Sequence, residues 1–147
     1  MATRARPKDK LLYEQDFYVW TEVQAGLLRD RRFAALDLEH LIEEIEALGR
    51  AEKREVLGDA VVIVEHLLKL QHSPAQEPGA VEHRNRLELD LTPRLRQILA
   101  DELLRVYGIA RRTAERRLRA HGEDAAAAAL PVDCPYSLDQ ITTDWWP

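Results

Sequence analysis

Between Asp37 and His72 the chain reads DLEHLIEEIEALGRAEKREVLGDAVVIVEHLLKLQH, with no proline to stop a helix and apolar residues recurring every three or four positions. Asp37 stands where a carboxylate can accept from the free amides of a first helical turn, so it is the expected N-cap. Leu38, Leu41, Ile42, Ile45 and Leu48 then fall at i, i+3, i+4, i+7 and i+10, the stripe of a core-facing helix. Glu44 and Glu46 flank that stripe on opposite sides, and Glu43 points away from it. Gly49 predicts a bend or short break, because glycine is about 1 kcal/mol worse than alanine inside a helix while the following RAEKREV is helix-forming. From Val56 to Leu70 the apolar residues spread around the helix, as in a segment packed on several sides. Its polar strip holds Glu55, Asp59, His66 and Lys69.

The rest of the chain must fit around this element, and nothing in it alternates with the period of a strand. A first helix is predicted from Leu11 to Arg31, with Tyr13, Phe17, Trp20, Val23, Leu27 and Leu28 on one face. Asp16 and Gln24 fall inside that face, so a carboxylate there needs a partner such as an arginine or a tyrosine hydroxyl. Arg29 to Arg32 closes the helix with cations where the dipole favours them. Ser73-Pro74 ends the long element and Gln76 to Gly79 reads as a loop. A shorter helix is expected over Ala80 to Leu89. Thr92 caps and Pro93 starts a last long helix, which carries Leu95, Leu99, Leu103, Val106, Tyr107, Ala110 and Ala114 on one face and ends at His121-Gly122. Ser137 to Gln140 matches a capping box, and the Trp145-Trp146 end is expected to fold back over the bundle rather than stay in water. The expected architecture is all-α: residues 1–10 a basic tail, and residues 11–147 a single helical bundle of four to five main helices with a wrapped C-terminal segment.

At 147 residues and 46% apolar content the chain can bury a sizeable core without a metal or disulfide. The single Cys134 has no internal partner, which favours a reducing compartment, and no apolar run approaches a membrane span, so a cytoplasmic protein is expected. The net charge of -5 conceals a segregation. Residues 34–78 hold ten acids against four bases, and residues 84–119 hold ten arginines against five acids. Opposite charges within one domain attract each other before they recruit a polyanion.

The ordered set YEQDFYVW from Tyr13, DLEHLIEEIE from Asp37, Gly49-Arg50, His66-Leu67-Leu68-Lys69 and Cys134-Pro135-Tyr136 resembles the bacterial DUF29 family over nearly the whole chain from Leu12. The resemblance implies an all-helical cytoplasmic protein and carries no established activity, so no catalytic residue is transferred by it. This chain departs from the family pattern at Leu70, where a tryptophan is usual, and near Val81, where an aromatic is usual, which removes a stacking role from that corner.

Three functional readings follow from the residues. The first is a helical module that binds another protein or itself, a homodimer included, using the charge segregation and the terminal tryptophans. The second is nucleic-acid association through Arg111, Arg112, Arg116 and Arg119, although these spread around their helix, no aromatics interleave them, and the sequence pI is about 5.6. The third is a metal-dependent enzyme with a site near Asp16, Glu44 and His66. The di-metal bundle pattern needs Glu-x-x-His pairs, and the chain has none, so a polar cluster of Asp16, Glu44 or Glu46, and His66 joining helices is the plainer expectation. Cys134 sits beside Asp133, the wrong setting for a thiolate nucleophile. No glycine-rich phosphate loop or paired-cysteine signature is present, and neither a cofactor nor a small-molecule substrate is expected.

Overall fold

The computed structural model describes residues 12–73 and 79–147, and every described element is helical or a turn, with no strand among them. The basic tail expected over residues 1–10 and most of the loop expected over Gln76 to Gly79 lie outside the described residues. Among the described residues a helical turn over 12–15 precedes seven α-helices: α1 (Phe17–Arg29), α2 (Leu38–His72), α3 (Val81–Asp90), α4 (Pro93–Asp101), α5 (Leu103–Ala120), α6 (Asp124–Ala128) and α7 (Leu138–Thr142). A 3-10 turn, Phe33–Ala35, joins α1 to α2. The contacts divide the chain into two compact units, Met1–Arg50 and Ala51–Pro147.

In the first unit the expected helix from Leu11 breaks at Asp16. That residue leaves the helical conformation, and its carboxylate accepts from Val19 N at 3.0 Å, making it the N-cap of α1. Asp16 is exposed rather than set in the core face, because a cap must sit where the chain enters the helix. Only Trp20 and Gln24 of α1 are buried, while Phe17, Val23 and Leu28 remain 40–48% exposed.

The end of α1 and the end of α5 solve one problem with different residues. Arg31 N donates to Leu28 O and Arg32 N to Leu27 O, so Arg31 takes the left-handed position with φ 57°. After α5, Gly122 N donates to Arg119 O and Glu123 N to Leu118 O, with φ 77° at Gly122. A side chain in this conformation costs about 1–2 kcal/mol, which Gly122 avoids and Arg31 bears. Arg31→Gly is therefore expected to raise stability by about 1 kcal/mol, and Gly122→Ala to lower it by a similar amount. Paired denaturation curves showing both changes with the same sign would contradict this reading of the two caps.

Helix α2 runs unbroken through Gly49, so the expected short break is not formed. In the second unit it supplies Val56, Ala60, Ile63, Val64, Leu67 and Leu68 to the core, each at most 3% exposed. Leu87 of α3, Leu95 and Leu99 of α4, Val106, Ala110, Ala114 and Leu118 of α5, and Ile141 of α7 close on them. Each valine, leucine or isoleucine among them contributes roughly 1.5–3 kcal/mol by leaving water.

The long last helix expected from Pro93 is divided at Glu102, whose backbone sits at φ -97° and ψ 4° between α4 and α5. The Glu102 carboxylate accepts from Lys53 Nζ at 2.8 Å and Arg105 Nη1 at 3.2 Å, and those two donors hold its pKa below the usual range. Two cap signals after the long helix stand as the residues predict. Thr92 Oγ1 accepts from Leu95 N with Pro93 in the first turn, and Ser137 and Gln140 form a complete capping box.

The C-terminal segment packs on the core of the second unit, with Trp145 and Trp146 against it. Three fasteners hold it. Tyr107 Oη and Arg111 Nε donate to Pro131 O at 2.5 and 2.8 Å, Tyr136 Oη donates to Gln71 Oε1 at 2.6 Å, and Arg96 reaches Asp139 and Thr142 Oγ1. Buried Arg84 donates to the carbonyls of Thr143 and Gln140, and its guanidinium carbon lies 4.4 Å from the centre of the Trp146 ring.

Candidate functional site

The polar centre of the first unit is built on Asp37, which is fully buried. It occupies the predicted cap position, and its carbonyl accepts from Leu41 N, but its carboxylate does not serve the first-turn amides. Asp37 Oδ2 instead accepts from Trp20 Nε1 at 3.2 Å and lies 2.6 Å from His40 Nδ1. Gln24 Oε1 accepts from Asp37 N at 2.9 Å. The i, i+4 pair Trp20 and Gln24 on α1 thus clasps the first turn of α2 through one residue, whose Oδ1 has no partner among the described residues.

Tyr13 closes the cluster from above. Its ring stacks on His40 with centroids 3.9 Å apart and meets Trp20 edge-on at 5.0 Å. Its hydroxyl donates to Glu44 Oε1 at 2.5 Å, and that bond pushes the phenol up from 10 to about 12, with desolvation and the neighbouring carboxylates adding to it. A phenol whose folded-state pKa is raised contributes stability that is present below pH 10 and lost as pH climbs towards about 12. A titration of 13C-labelled tyrosine should show Tyr13 with a midpoint near 12, moved downwards in Glu44→Gln. A midpoint near 10 in the unmodified protein would mean that the Tyr13–Glu44 bond does not persist in solution.

A carboxylate holding a histidine through Nδ1 directs Nε2 outward, the arrangement of an oriented base. No described hydroxyl or thiol is hydrogen-bonded to His40, and among the described residues no group of three histidine, cysteine or carboxylate side chains is placed to hold a metal. The cluster therefore acts as a clasp between helices. The sequence signal for it is Asp-x-x-His at Asp37 and His40, one helical turn apart, which differs from the Glu-x-x-His of di-metal bundles.

Of the residues expected in one polar cluster, Asp16, Glu44 and Glu46 have partners of their own, whereas His66 Nδ1 has none among the described residues. Asp16 caps α1, and Glu44 accepts from Tyr13. Glu46 lies 3.4 Å from Arg50 on the exposed surface, where such a pair is worth little. His66 is half-buried in the second unit, and burial lowers its pKa. Its ring lies over Gly79, where a Cβ would stand 2.4 Å from His66 Cε1, so position 79 tolerates no side chain without displacing the histidine. The buried acids of that unit are paired elsewhere: Asp59 lies 2.7 Å from His83 Nδ1, and Glu65 accepts from Arg117 at 2.8 Å. Cys134 is half-buried, and burial raises its thiol pKa, the opposite of an activated nucleophile.

The arginine helix, α5, pairs most of its cations within the second unit, although Arg111 is the one arginine on it that is not exposed. Arg111 donates to Pro131 O and Leu130 O, Arg117 pairs with Glu65, and Arg119 pairs with Glu115 and Asp124. Arg112 and Arg116 remain exposed with no carboxylate partner among the described residues. Two exposed arginines without a carboxylate partner make a small footprint for a polyanion.

The most exposed apolar surface of the first unit lies where a core stripe was expected. Leu38, Ile42, Ile45 and Leu48 are 47, 55, 66 and 71% exposed. The covered side of this part of α2 instead carries His40, Leu41, Glu44 and Ala47. The reason is the clasp: Trp20, Gln24 and Tyr13 engage Asp37, His40 and Glu44, and so turn Leu38, Ile42 and Ile45 outward. Large aliphatic side chains contiguous on one helix face mark a contact surface in a soluble protein. No helix among the described residues is long and apolar enough to cross a membrane.

Comparison with curated proteins and with solved structures yields no match. A family model does match, over residues 12–146, which is nearly the whole chain and spans both units. With the helices, the clasp residues and the Cys134-Pro135-Tyr136 turn all inside that span, the chain belongs to the DUF29 family, a domain of unknown function.

Proposed function

We propose that the protein is a helical protein-binding module whose contact surface is the outward face of α2 in the first unit. One observation carries the reading: Leu38, Ile42, Ile45 and Leu48 lie within a single stripe of one helix and are each about half or more exposed. Burying that stripe against a partner would gain roughly 25 cal/mol for each Å² of apolar surface removed from water. Among the described residues the clasp engages Asp37, His40 and Glu44, and so leaves Leu38, Ile42 and Ile45 uncovered. The charge segregation and the paired arginines of α5 support the same conclusion, since most of those cations are engaged within the fold.

The test is photo-crosslinking in the producing cell, with a photoreactive amino acid at position 45 of the full chain. The expected result is a protein adduct at position 45 that disappears when Ile42 and Leu48 are both changed to Asp, with helicity and melting temperature unchanged. Absence of any adduct, or an adduct indifferent to the two substitutions, would overturn the reading.

A further inference from the structure

Two histidines stand where α2 meets α3 in the second unit, and their surroundings are opposite. His83 of α3 has a carboxylate beside it: its Nδ1 lies 2.7 Å from Asp59 Oδ1, and Arg86 Nη1 lies 3.8 Å from the same oxygen. His66 of α2 has no such partner. Its Nδ1 is buried and makes no hydrogen bond among the described residues, and its ring lies over Gly79 at the entry of α3. Lys69 on the same helix, His83 on α3 and Arg117 on α5 surround it, and the neighbouring acid, Glu65, is already engaged by Arg117 at 2.8 Å. Burial, with Lys69 adding to it, lowers the pKa of His66, so the fold favours a neutral imidazole there.

The C-terminal strap, residues 137–147, depends on that same entry. Ala80 is fully buried, and its carbonyl accepts from Arg84 N at 3.0 Å, one turn into α3. The Arg84 side chain in turn donates to the carbonyls of Thr143 and Gln140 and lies on the Trp146 ring. The path from His66 to the strap thus runs through one glycine and one turn of helix.

We propose that His66 is an acid-operated latch on the strap: on taking a proton its imidazole leaves Gly79, the first turn of α3 loosens, and Arg84 releases Thr143 and Gln140. A cationic ring left in place would bury an Nδ1–H without an acceptor, close to Lys69 and Arg117. It escapes that penalty by turning into water, which uncovers Ala80. A histidine held neutral contributes stability that is fully present above its ordinary pKa of about 6.5 and is lost progressively as pH falls from there towards the lowered value. The strap is therefore closed at neutral pH and open in acid, where release bares the fully buried Ile141.

Hydrogen exchange of the full chain at pH 8 and pH 5, corrected for the intrinsic rate at each pH, measures the latch. Residues 137–147 are expected to lose protection several-fold at pH 5, while residues 60–68 in the core of the same unit keep theirs. His66→Phe keeps a flat ring over Gly79 and removes the proton site, so the strap should stay protected at both pH values. Lys69→Glu leaves the ring untouched and sets an acid one turn from it, which stabilises the imidazolium in place and should shrink the loss. Equal protection of the strap at both pH values, a loss that persists in His66→Phe, or a loss unchanged in Lys69→Glu would each overturn the latch. A loss shared by residues 60–68 would overturn it too, because the whole unit would then be unfolding in acid.

Discussion

Asp37→Ala should release α1 from α2 and lower the stability of the first unit by about 3 kcal/mol, the largest effect expected there. The substitution removes one carboxylate oxygen but strands two buried donors, Trp20 Nε1 and His40 Nδ1. A buried donor without an acceptor costs about 1–3 kcal/mol, more than the bond contributes when made. His40 also loses what fixes its ring beneath Tyr13, so the stacking and the Tyr13–Glu44 bond should loosen together. Hydrogen exchange resolves the outcome by segment: amides of residues 17–29 should lose protection while those of the second-unit core keep theirs. Asp37→Asn should cost less, since its amide oxygen still accepts from Trp20, and the double change with Trp20→Phe should be strongly non-additive. Unchanged protection of α1 in Asp37→Ala would show that the apolar contacts hold the helix without the clasp.

Arg84→Ala should free the C-terminal strap of the second unit, at a cost of about 3 kcal/mol. Arg84 is 8% exposed, and burial lowers its pKa, so its cation is tolerated only because acceptors surround it. Its two terminal nitrogens donate to Thr143 O and Gln140 O at the end of α7, and its flat face lies on the Trp146 ring. Removing the side chain leaves both carbonyls unserved and takes away the platform under a tryptophan. Arg84→Lys should restore little, because an ammonium serves neither two separated carbonyls nor a stacked ring as a guanidinium does. The readouts are the melting temperature, the tryptophan emission and exchange over residues 137–147, all of which should move together. A lysine variant indistinguishable from the natural protein would mean that charge alone, not shape, fastens the strap.

Legibility in the sequence differed between local and tertiary features. The caps at Thr92 and Ser137 and the glycine end at Gly122 could be read because each depends on residues within one turn of itself. The covering of the core by Trp145 and Trp146 could be read as well, since two terminal tryptophans cost too much to leave in water. Asp16 was misplaced for the opposite reason. Periodicity set it on the core face of a long helix, whereas a cap is decided by where the chain leaves helical geometry, and Asp16 is that point. Glu102 was hidden in the same way, within an apolar pattern that continues on both sides of the junction.

By itself the sequence determined an all-helical chain, most helix starts and stops, the amphipathic α2 and the absence of known catalytic motifs, because these follow from spacing and from side-chain chemistry. Only the tertiary structure decided which face of α2 is covered in each unit. In the second, the helices after it bury Val56, Ile63 and Leu67, as the pattern demands. In the first, Trp20, Gln24 and Tyr13 engage Asp37, His40 and Glu44 instead, and Leu38, Ile42, Ile45 and Leu48 face outward. Periodicity shows that a helix has an apolar stripe. Whether that stripe meets a neighbour in its own chain depends on which side chains satisfy a buried carboxylate, and that pairing spans the 17 residues between Trp20 and Asp37.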